Sequence, residues 1–420
     1  MNFQLKYGKG RVELQVPDKN VLFTLKPRTL PGVKNEAEAI THALREPIGA
    51  EPLRDLVDVG AEVALLVSDI TRPCPSHKIL PPLITELNRA GVSDDHITVF
   101  FATGMHRKHT RWEIERLVGS EMFERLRVVD HDSRDERIHR YLGKTRRGTE
   151  VSVNEQVLDK DFLIGVANID VHYFAGYSGG AKSLMPGVSS FETIQQNHSL
   201  MLHPGSKPGK AQGNPVREDL EEASRLANLD FIVNVVLNEE RDIVKVVAGH
   251  PIEAHRAGIP PNDYMYKAPI GERADIVIAA AGGFPKDINL YQAQKGLDNA
   301  GYAVKEGGTI ILLAECGEGL GDKTFEDWLS EATSPGDIIE RLRDEFVLGG
   351  HKAYAIARLV ENVGIILVSN LPDDLVKKSF MSPAKTVEDA LKKAFNAQGR
   401  NATVTVMPFA GSTLPFQTNA

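Results

Sequence analysis

Apolar runs rich in β-branched residues recur along the chain: VALLVSD (63–69), HITVFFATG (96–104), DFLIGVANID (161–170), ADIVIAAAGG (274–283), GGTIILLAE (307–315) and VGIILVSN (363–370). Such unbroken runs are the pattern of strands covered on both faces. Between them lie segments of helical spacing, among them PLITELNRAG (82–91), closed by Gly91, and SPAKTVEDALKKAFNAQG (382–399), closed by Gly399. Their alternation predicts an α/β protein built on mainly parallel sheets with flanking helices.

Two regions depart from that pattern. The first sixty residues carry short alternating segments, FQLKYG, RVELQV and VLFTLK, which predict a small antiparallel addition. A second hairpin is predicted at 231–249, FIVNVVLNEERDIVKVVAG. The Gly- and Pro-rich stretch 248–275 marks the passage between domains, so two are expected, 1–265 and 266–420. The final NATVTVMPFAGSTLPF can return to either.

With 420 residues, 42% hydrophobic and 25% charged, the chain can bury a large core in two or three domains. A formal net charge of −8 gives no electrostatic basis for binding nucleic acid or an anionic membrane, so a small soluble partner is expected. The opening MNFQLKYGKGRVELQV has no apolar h-region, and no apolar run approaches the roughly 20 residues of a membrane helix. The expected location is the cytoplasm. Two cysteines, Cys74 and Cys316, exclude a disulfide framework and any all-cysteine metal or iron–sulfur site, and Cys74 in TRPCP reads as a small packed residue.

Ligands of open parallel sheets bind at the carboxyl ends of the strands. Four predicted strands end in chemically loaded loops: SDITRPCP (68–75), ATGMHRKH (102–109), DVHYFAGYSGGAK (170–182) and GGFPKDINLYQAQK (282–295). Within the third, GYSGGAKS (176–183) approaches the phosphate-cradling template G-x-x-x-x-G-K-[ST], with Ala181 in place of the second glycine. Pro186 and Gly187 stand four and five residues beyond Lys182 and oppose the sustained helix a P-loop needs. Consecutive small residues can still leave N–H groups to form an anion-binding nest.

Ser189 and Glu192 form a capping-box pattern, predicting a helix from near Ser190 to His203-Pro204-Gly205. Phe191, Ile194, His198 and Met201 share its inward stripe, and His198 lies roughly 12 Å along the axis from the cap. It reads either as a hydrogen-bonded core histidine or as one facing a pocket. His106 and His172 directly follow strands, where they either cap loops or act as acid and base on a ligand. None of the thirteen histidines has the H-E-x-x-H, H-x-H or Cys/His spacing of a zinc site, which argues against a metal held wholly by protein ligands.

Arg72, between Asp69 and the rigid Pro73 and Pro75, suits bidentate capture of a carboxylate or a salt bridge to Asp69. Asp287 is the predicted N-cap of a helix on which Tyr291, Gln292 and Lys295 share a face. A nicotinamide dehydrogenase would need G-x-G-x-x-G opening a strand–loop–helix unit, and none does.

The motifs SDITRP, ATGMHR, VHYFAGYSGGAKSLMPG, QQNHS and GGFPKDINLYQAQKG follow one another over about 230 residues. In type, order and spacing they resemble those of the nickel-dependent lactate racemase family, the 2-hydroxyacid racemases and epimerases. The resemblance implies a nickel-pincer nucleotide, pyridinium-3-thioamide-5-thiocarboxylic acid mononucleotide with nickel, attached covalently to Lys182, with Gly179 and Gly180 giving its phosphate room. It implies His198 as the one protein ligand of the nickel and His106 and His172 as the acid/base pair. Arg72 and Lys295 would hold the substrate carboxylate, and Asp69, Tyr291 and Gln292 would line the site. It further implies a 2-hydroxyacid substrate, lactate or a relative, partner proteins that make and load the cofactor, and an active site in the cleft between domains. A P-loop-like nucleotide-binding phosphotransferase and a nicotinamide-dependent dehydrogenase are the competing readings.

Overall fold

The apolar runs are buried end to end, as strands covered on both faces must be: every residue is buried from Val63 to Val67, from Ile97 to Phe101 and from Phe162 to Ile169. The structure, a computed structural model, describes residues 1–418. The chain divides into two compact units, Thr29–Met265 and a second made of Met1–Arg28 with the chain from Tyr266 onward. In chain order the strands are β1 (Asn2–Tyr7), β2 (Gly10–Gln15), β3 (Val21–Thr24), β4 (Val63–Ser68), β5 (Ile97–Ala102), β6 (Arg127–Asp130), β7 (His139–Lys144), β8 (Glu150–Asn154), β9 (Phe162–Ile169) and β10 (Val171–His172). There follow β11 (Gly176–Tyr177), β12 (Phe231–Leu237), β13 (Ile243–Gly249), β14 (Lys267–Ile270), β15 (Ala274–Ala280), β16 (Val304–Leu313), β17 (Gly364–Val368), β18 (Ser382–Ala384), β19 (Val404–Met407) and β20 (Leu414–Gln417).

The unit Thr29–Met265 holds a six-stranded sheet in the order β13-β12-β9-β4-β5-β6. Its pairings are parallel except for the predicted hairpin of β12 and β13. From β4 the chain winds outward through β5 and β6, then crosses back to place β9 and β12 on the other side. Strand order therefore reverses beside β4, and the loops leaving β4 and β9 diverge from that point, which is where open α/β sheets take ligands. One face of the sheet is sealed by the helix Ser76–Arg89, whose Ile79, Leu83 and Leu87 pack into a core with Leu65, Val67, Val99 and Phe101.

The second unit holds a six-stranded sheet, β18-β17-β16-β15-β19-β3, parallel throughout. Here the opening residues depart from the sequence reading, which assigned them to a domain 1–265. β1 and β2 form the expected antiparallel hairpin, but Leu5, Leu14 and Val16 pack in the core of this unit against Ile276 and Ile278. β3, read as part of the antiparallel addition, instead pairs parallel with β19 at Val21↔Val404. Local alternation shows which face of a segment is apolar, not which sheet that face will cover. At the other end, β19 lies within this sheet and β20 pairs with β14, so the final strands stay with the second unit. Among the described residues, no helix is long and apolar enough to cross a membrane.

Candidate active site

Loops after β4, β5 and β9 carry the candidate groups of the first unit. Asp69 follows β4 directly and is buried, and its carboxylate accepts from His106 Nδ1, in the loop after β5, and from the hydroxyl and N–H of Thr71, at 2.7 and 3.2 Å. Burial would push this carboxyl up, but the bonds from His106 and Thr71 outweigh it, and the group lies below its ordinary value. Arg72 is exposed, and no ion pair within 4 Å joins it to Asp69 among the described residues; its carboxylate neighbour has gone to His106 instead.

β10 and β11 form a two-stranded ribbon off the end of β9, with His172 opposite Gly176. His172 Nδ1 accepts the Ala175 N–H at 3.3 Å, so in the neutral ring the proton sits on Nε2. Lys182 Nζ lies 3.2 Å from that Nε2. An ammonium has no lone pair with which to accept the Nε2 proton, so in this tautomer the two side chains can bond only through the neutral amine form of Lys182. The electrostatics agree. Burial, then the cations of Arg72 and Arg217, hold Lys182 well below the usual lysine range, and burial with Lys182, Arg72, His198 and Arg217 does the same to His172. Both side chains keep partial solvent access although protein atoms surround them closely.

Phe174 is the shared wall. Its ring stands edge-on to His172 at 4.8 Å and to His198 at 5.0 Å, with Lys182 Nζ 5.9 Å from its centroid. His198 is buried on the helix Phe191–Ser199, on the inward side with Ile194 and Asn197. The cap of that helix is Ser190, whose hydroxyl accepts from Thr193 N at 3.3 Å, and not Ser189, whose hydroxyl donates to the Leu184 carbonyl at 3.0 Å. The cap thus falls one residue beyond the Ser189 of the predicted capping box, whose hydroxyl bonds back to the preceding turn.

The glycine loop is no P-loop. Gly180–Ser183 is a single 3₁₀ turn, no α-helix follows Lys182 until Phe191, and the Gly180 N–H is taken by Asn234 Oδ1 at 2.7 Å. Gly179 and Gly180 hold φ values of +73° and +61°, and a Cβ on Gly179 would stand 2.7 Å from Asn234 Oδ1. Beneath the loop lies a cation that the sequence did not single out. Arg217 is fully buried and donates to the carbonyls of Ala175 at 3.3 Å, Gly179 at 3.2 Å and Tyr177. His255 adds a bond of 2.8 Å to the Ser178 carbonyl, its other nitrogen accepting a hydrogen bond from Arg256, which grips Glu221 with two bonds of 2.7 and 2.9 Å. Four carbonyls of the segment leading to Lys182, those of Ala175, Tyr177, Ser178 and Gly179, are thus held by buried side-chain donors.

In the second unit, Tyr291, Gln292 and Lys295 lie on the helix Leu290–Gly301. Its cap is Asn289, accepting from Gln292 N at 3.0 Å; Asp287, the predicted cap, is buried and accepts the N–H groups of Gly8 at 2.7 Å and Glu315 at 3.3 Å. Lys295 and Gln292 are exposed. Tyr291 is half-buried, and its phenol is pushed up to about 12 by burial and Asp322. Lys352, another residue the sequence did not mark, donates to the Tyr291 carbonyl at 2.6 Å and lies 4.0 Å over its ring. Burial and the neighbouring Lys295 bring Lys352 down to about 8. No group of three or more His, Cys, Asp and Glu side chains that could hold a metal ion occurs among the described residues.

A lysine held well below its usual range at the switch point of a parallel sheet can act as a nucleophile, and the imidazole of His172 stands 3.2 Å from it. The class so defined is an α/β enzyme. Residues 7–209 match the model of the lactate racemase N-terminal domain and residues 271–413 that of the lactate racemase C-terminal domain. The chain is 33% identical over 418 residues to a lactate racemase of Thermoanaerobacterium thermosaccharolyticum, covering 97% of each. It is 34% identical over 413 residues to a lactate racemase of Lactiplantibacillus plantarum, covering 96% of this chain and 97% of that one. The solved lactate racemase apoprotein from T. thermosaccharolyticum superposes with a TM-score of 0.91 at 32% identity, over 99% of this chain and 100% of that one. A Thermotoga maritima protein shares the fold at a TM-score of 0.66 and 18% identity, over 93% and 100% of the two chains. The chain belongs to the lactate racemase family and is an isomerase of the racemase kind.

Proposed function

We propose that the protein inverts C2 of a 2-hydroxyacid, lactate or a close relative, using a nickel-pincer nucleotide bound covalently through Lys182. The observation that carries this reading is the Lys182 amine, held well below the usual lysine range, 3.2 Å from His172 Nε2 on a loop whose carbonyls are bonded by Arg217. The donor set suits the group in two respects, an amine able to attack an acyl carbon and one buried imidazole, His198, for a metal, whereas the space over Gly179 and Gly180 is filled by Asn234 and His255. When bound, the cofactor supplies a reversible acceptor for the hydride at C2 of the substrate.

Removing that hydrogen as a proton would place a carbanion beside an anionic carboxylate, which stabilises it poorly. The task left to the protein is therefore to take the hydroxyl proton as the carbon is oxidised and to return it on reduction. His106 and His172 do this from the two sides of the substrate. Asp69 accepts from His106 Nδ1–H and so leaves Nε2 bare, as the base; His172, whose Nδ1 accepts the Ala175 N–H, carries its proton on Nε2 and stands in the opposite sense, as the acid, the two exchanging roles for the other enantiomer. Arg72, whose charge acts on both His172 and Lys182, binds the carboxylate. The reading is tested by incubating single enantiomers of lactate and of related 2-hydroxyacids with protein made alongside the cofactor-making enzymes, followed by chiral chromatography. Approach to a racemic mixture is expected; net oxidation without the opposite enantiomer would overturn it.

A further inference from the structure

One buried imidazole has no part in the chemistry described so far. His109 lies in the same loop as His106, its side chain wholly buried against the Phe101 ring at 4.5 Å between centroids. Asp130, at the end of β6, accepts twice from it, from the backbone N–H at 2.9 Å and from ring Nδ1 at 2.6 Å. On the opposite edge of the ring, Nε2 takes the N–H of Ile70 at 3.1 Å. These partners fix the tautomer: Nε2 must be bare to accept, so the proton is on Nδ1 and donates to Asp130. Ile70 is the residue after Asp69, the carboxylate that holds His106. The ring thus ties three strand ends together, those of β4, β5 and β6, at the point from which Asp69 reaches across to His106.

The geometry points to His109 as a positioning residue for His106, acting through the backbone of the Asp69 loop, with Asp130 setting the tautomer that makes this possible. The role rests on His106 being an acid/base group, but the structural half stands without it. Without the acceptor, the half-buried Ile70 N–H loses its partner and the loop shifts to find another. Asp69 shifts with it, and His106 loses the fixed Nδ1 partner that orients its free nitrogen. A displacement of about 1 Å at such a group costs about 10²-fold in turnover.

Two substitutions separate this from a packing role. His109→Phe keeps the ring and its contact with Phe101 but has no acceptor; His109→Gln keeps an acceptor at the distance of Nε2. Asp130→Asn changes no packing, but its single carbonyl oxygen must serve the backbone N–H, so its NH₂ faces ring Nδ1 and drives the proton onto Nε2, against the Ile70 N–H. The first readout needs no cofactor or substrate: the downfield proton resonance of His106 Nδ1–H bonded to Asp69, assigned by its loss in His106→Gln. It should broaden or move in His109→Phe and Asp130→Asn and stay in place in His109→Gln. In the loaded protein, kcat for inversion should fall by about 10- to 100-fold in the first two with KM little changed, and His109→Gln should recover most of it. An unmoved resonance in Asp130→Asn, or turnover within twofold of the parent in both acceptor-removing variants, would overturn the proposal. Should the parent invert no 2-hydroxyacid, the functional reading fails while the resonance still decides the role of His109.

Discussion

Replacing Arg217 by methionine tests how the reactive lysine is maintained. The guanidinium is fully buried and bonded to the carbonyls of Ala175, Tyr177 and Gly179, and each carbonyl left without a donor costs about 1–3 kcal/mol. Against a sum of roughly 3–9 kcal/mol stands the relief of no longer burying a cation, about 3 kcal/mol for a group pushed down from 12.5 to about 10. A net loss of about 3 kcal/mol is expected, because Glu221 keeps its two bonds to Arg256 and is not orphaned. The electrostatic consequence is separate and has a definite sign. A cation near Lys182 lowers its pKa; removing the cation raises it, so at neutral pH more of the amine is protonated and fewer side chains react. The assay is trace acylation of the cofactor-free protein across a pH series, with Lys182 and a set of exposed lysines quantified by peptide mass spectrometry, alongside urea unfolding. In the parent, Lys182 should react at lower pH than the exposed lysines, and in Arg217→Met its profile should move toward theirs. A parent Lys182 that titrates with the exposed lysines would refute the neutral amine. A variant with unchanged profile and under about 1 kcal/mol of lost stability would refute the role of Arg217.

Three further outcomes follow from the same geometry. Gly176→Ala places a Cβ 2.0 Å from the Lys210 carbonyl oxygen at φ +77°, so the backbone conformation alone costs about 1–2 kcal/mol and the loop must shift; a lowered urea midpoint and loss of the Lys182 reactivity shift check it. Asp69 lies below its ordinary value, so its charge contributes stability that is present above about pH 3.9 and is lost as pH falls through its lower folded-state value; the stability gap between parent and Asp69→Asn should be open at pH 6 and close in that acid range. His106→Ala and His172→Ala should each abolish inversion while leaving the cofactor attached, measured by chiral analysis and intact mass; substantial racemisation by either variant removes that residue from its role.

The strands at 63–69, 96–104, 161–170, 274–283, 307–315 and 363–370 were legible because unbroken apolar runs mark strands covered on both faces, whereas the short β6 was not read, and Ser382–Ala384, read as the start of a helix, is β18 with the helix beginning at Val387. That His106, His172 and Lys182 lie beyond the ends of β5 and β9 was legible because the strands themselves were. What escaped was tertiary. The alternation in β1 and β2 showed an apolar face but not that Leu5 and Leu14 would cover the sheet of the second unit. The cap falls at Ser190, one residue beyond the Ser189 of the predicted capping box, whose hydroxyl bonds back to Leu184. Arg217 sits in NPVRED, a stretch with every mark of a solvated helix start, and only the three carbonyls above it explain a fully buried guanidinium. Phe174 was quoted within a motif without a role, since nothing in a sequence says that one ring will touch two imidazoles and approach a lysine.

The central claim is that the Lys182 amine is the point of covalent attachment for the cofactor, and intact-mass spectrometry reads it directly. Protein made together with the cofactor-making enzymes should carry one added mass equal to the nickel-pincer nucleotide, mapped to the peptide containing Lys182 and missing from Lys182→Ala. An unmodified parent chain that nonetheless inverts its substrate, or an adduct that persists in Lys182→Ala, would contradict the account.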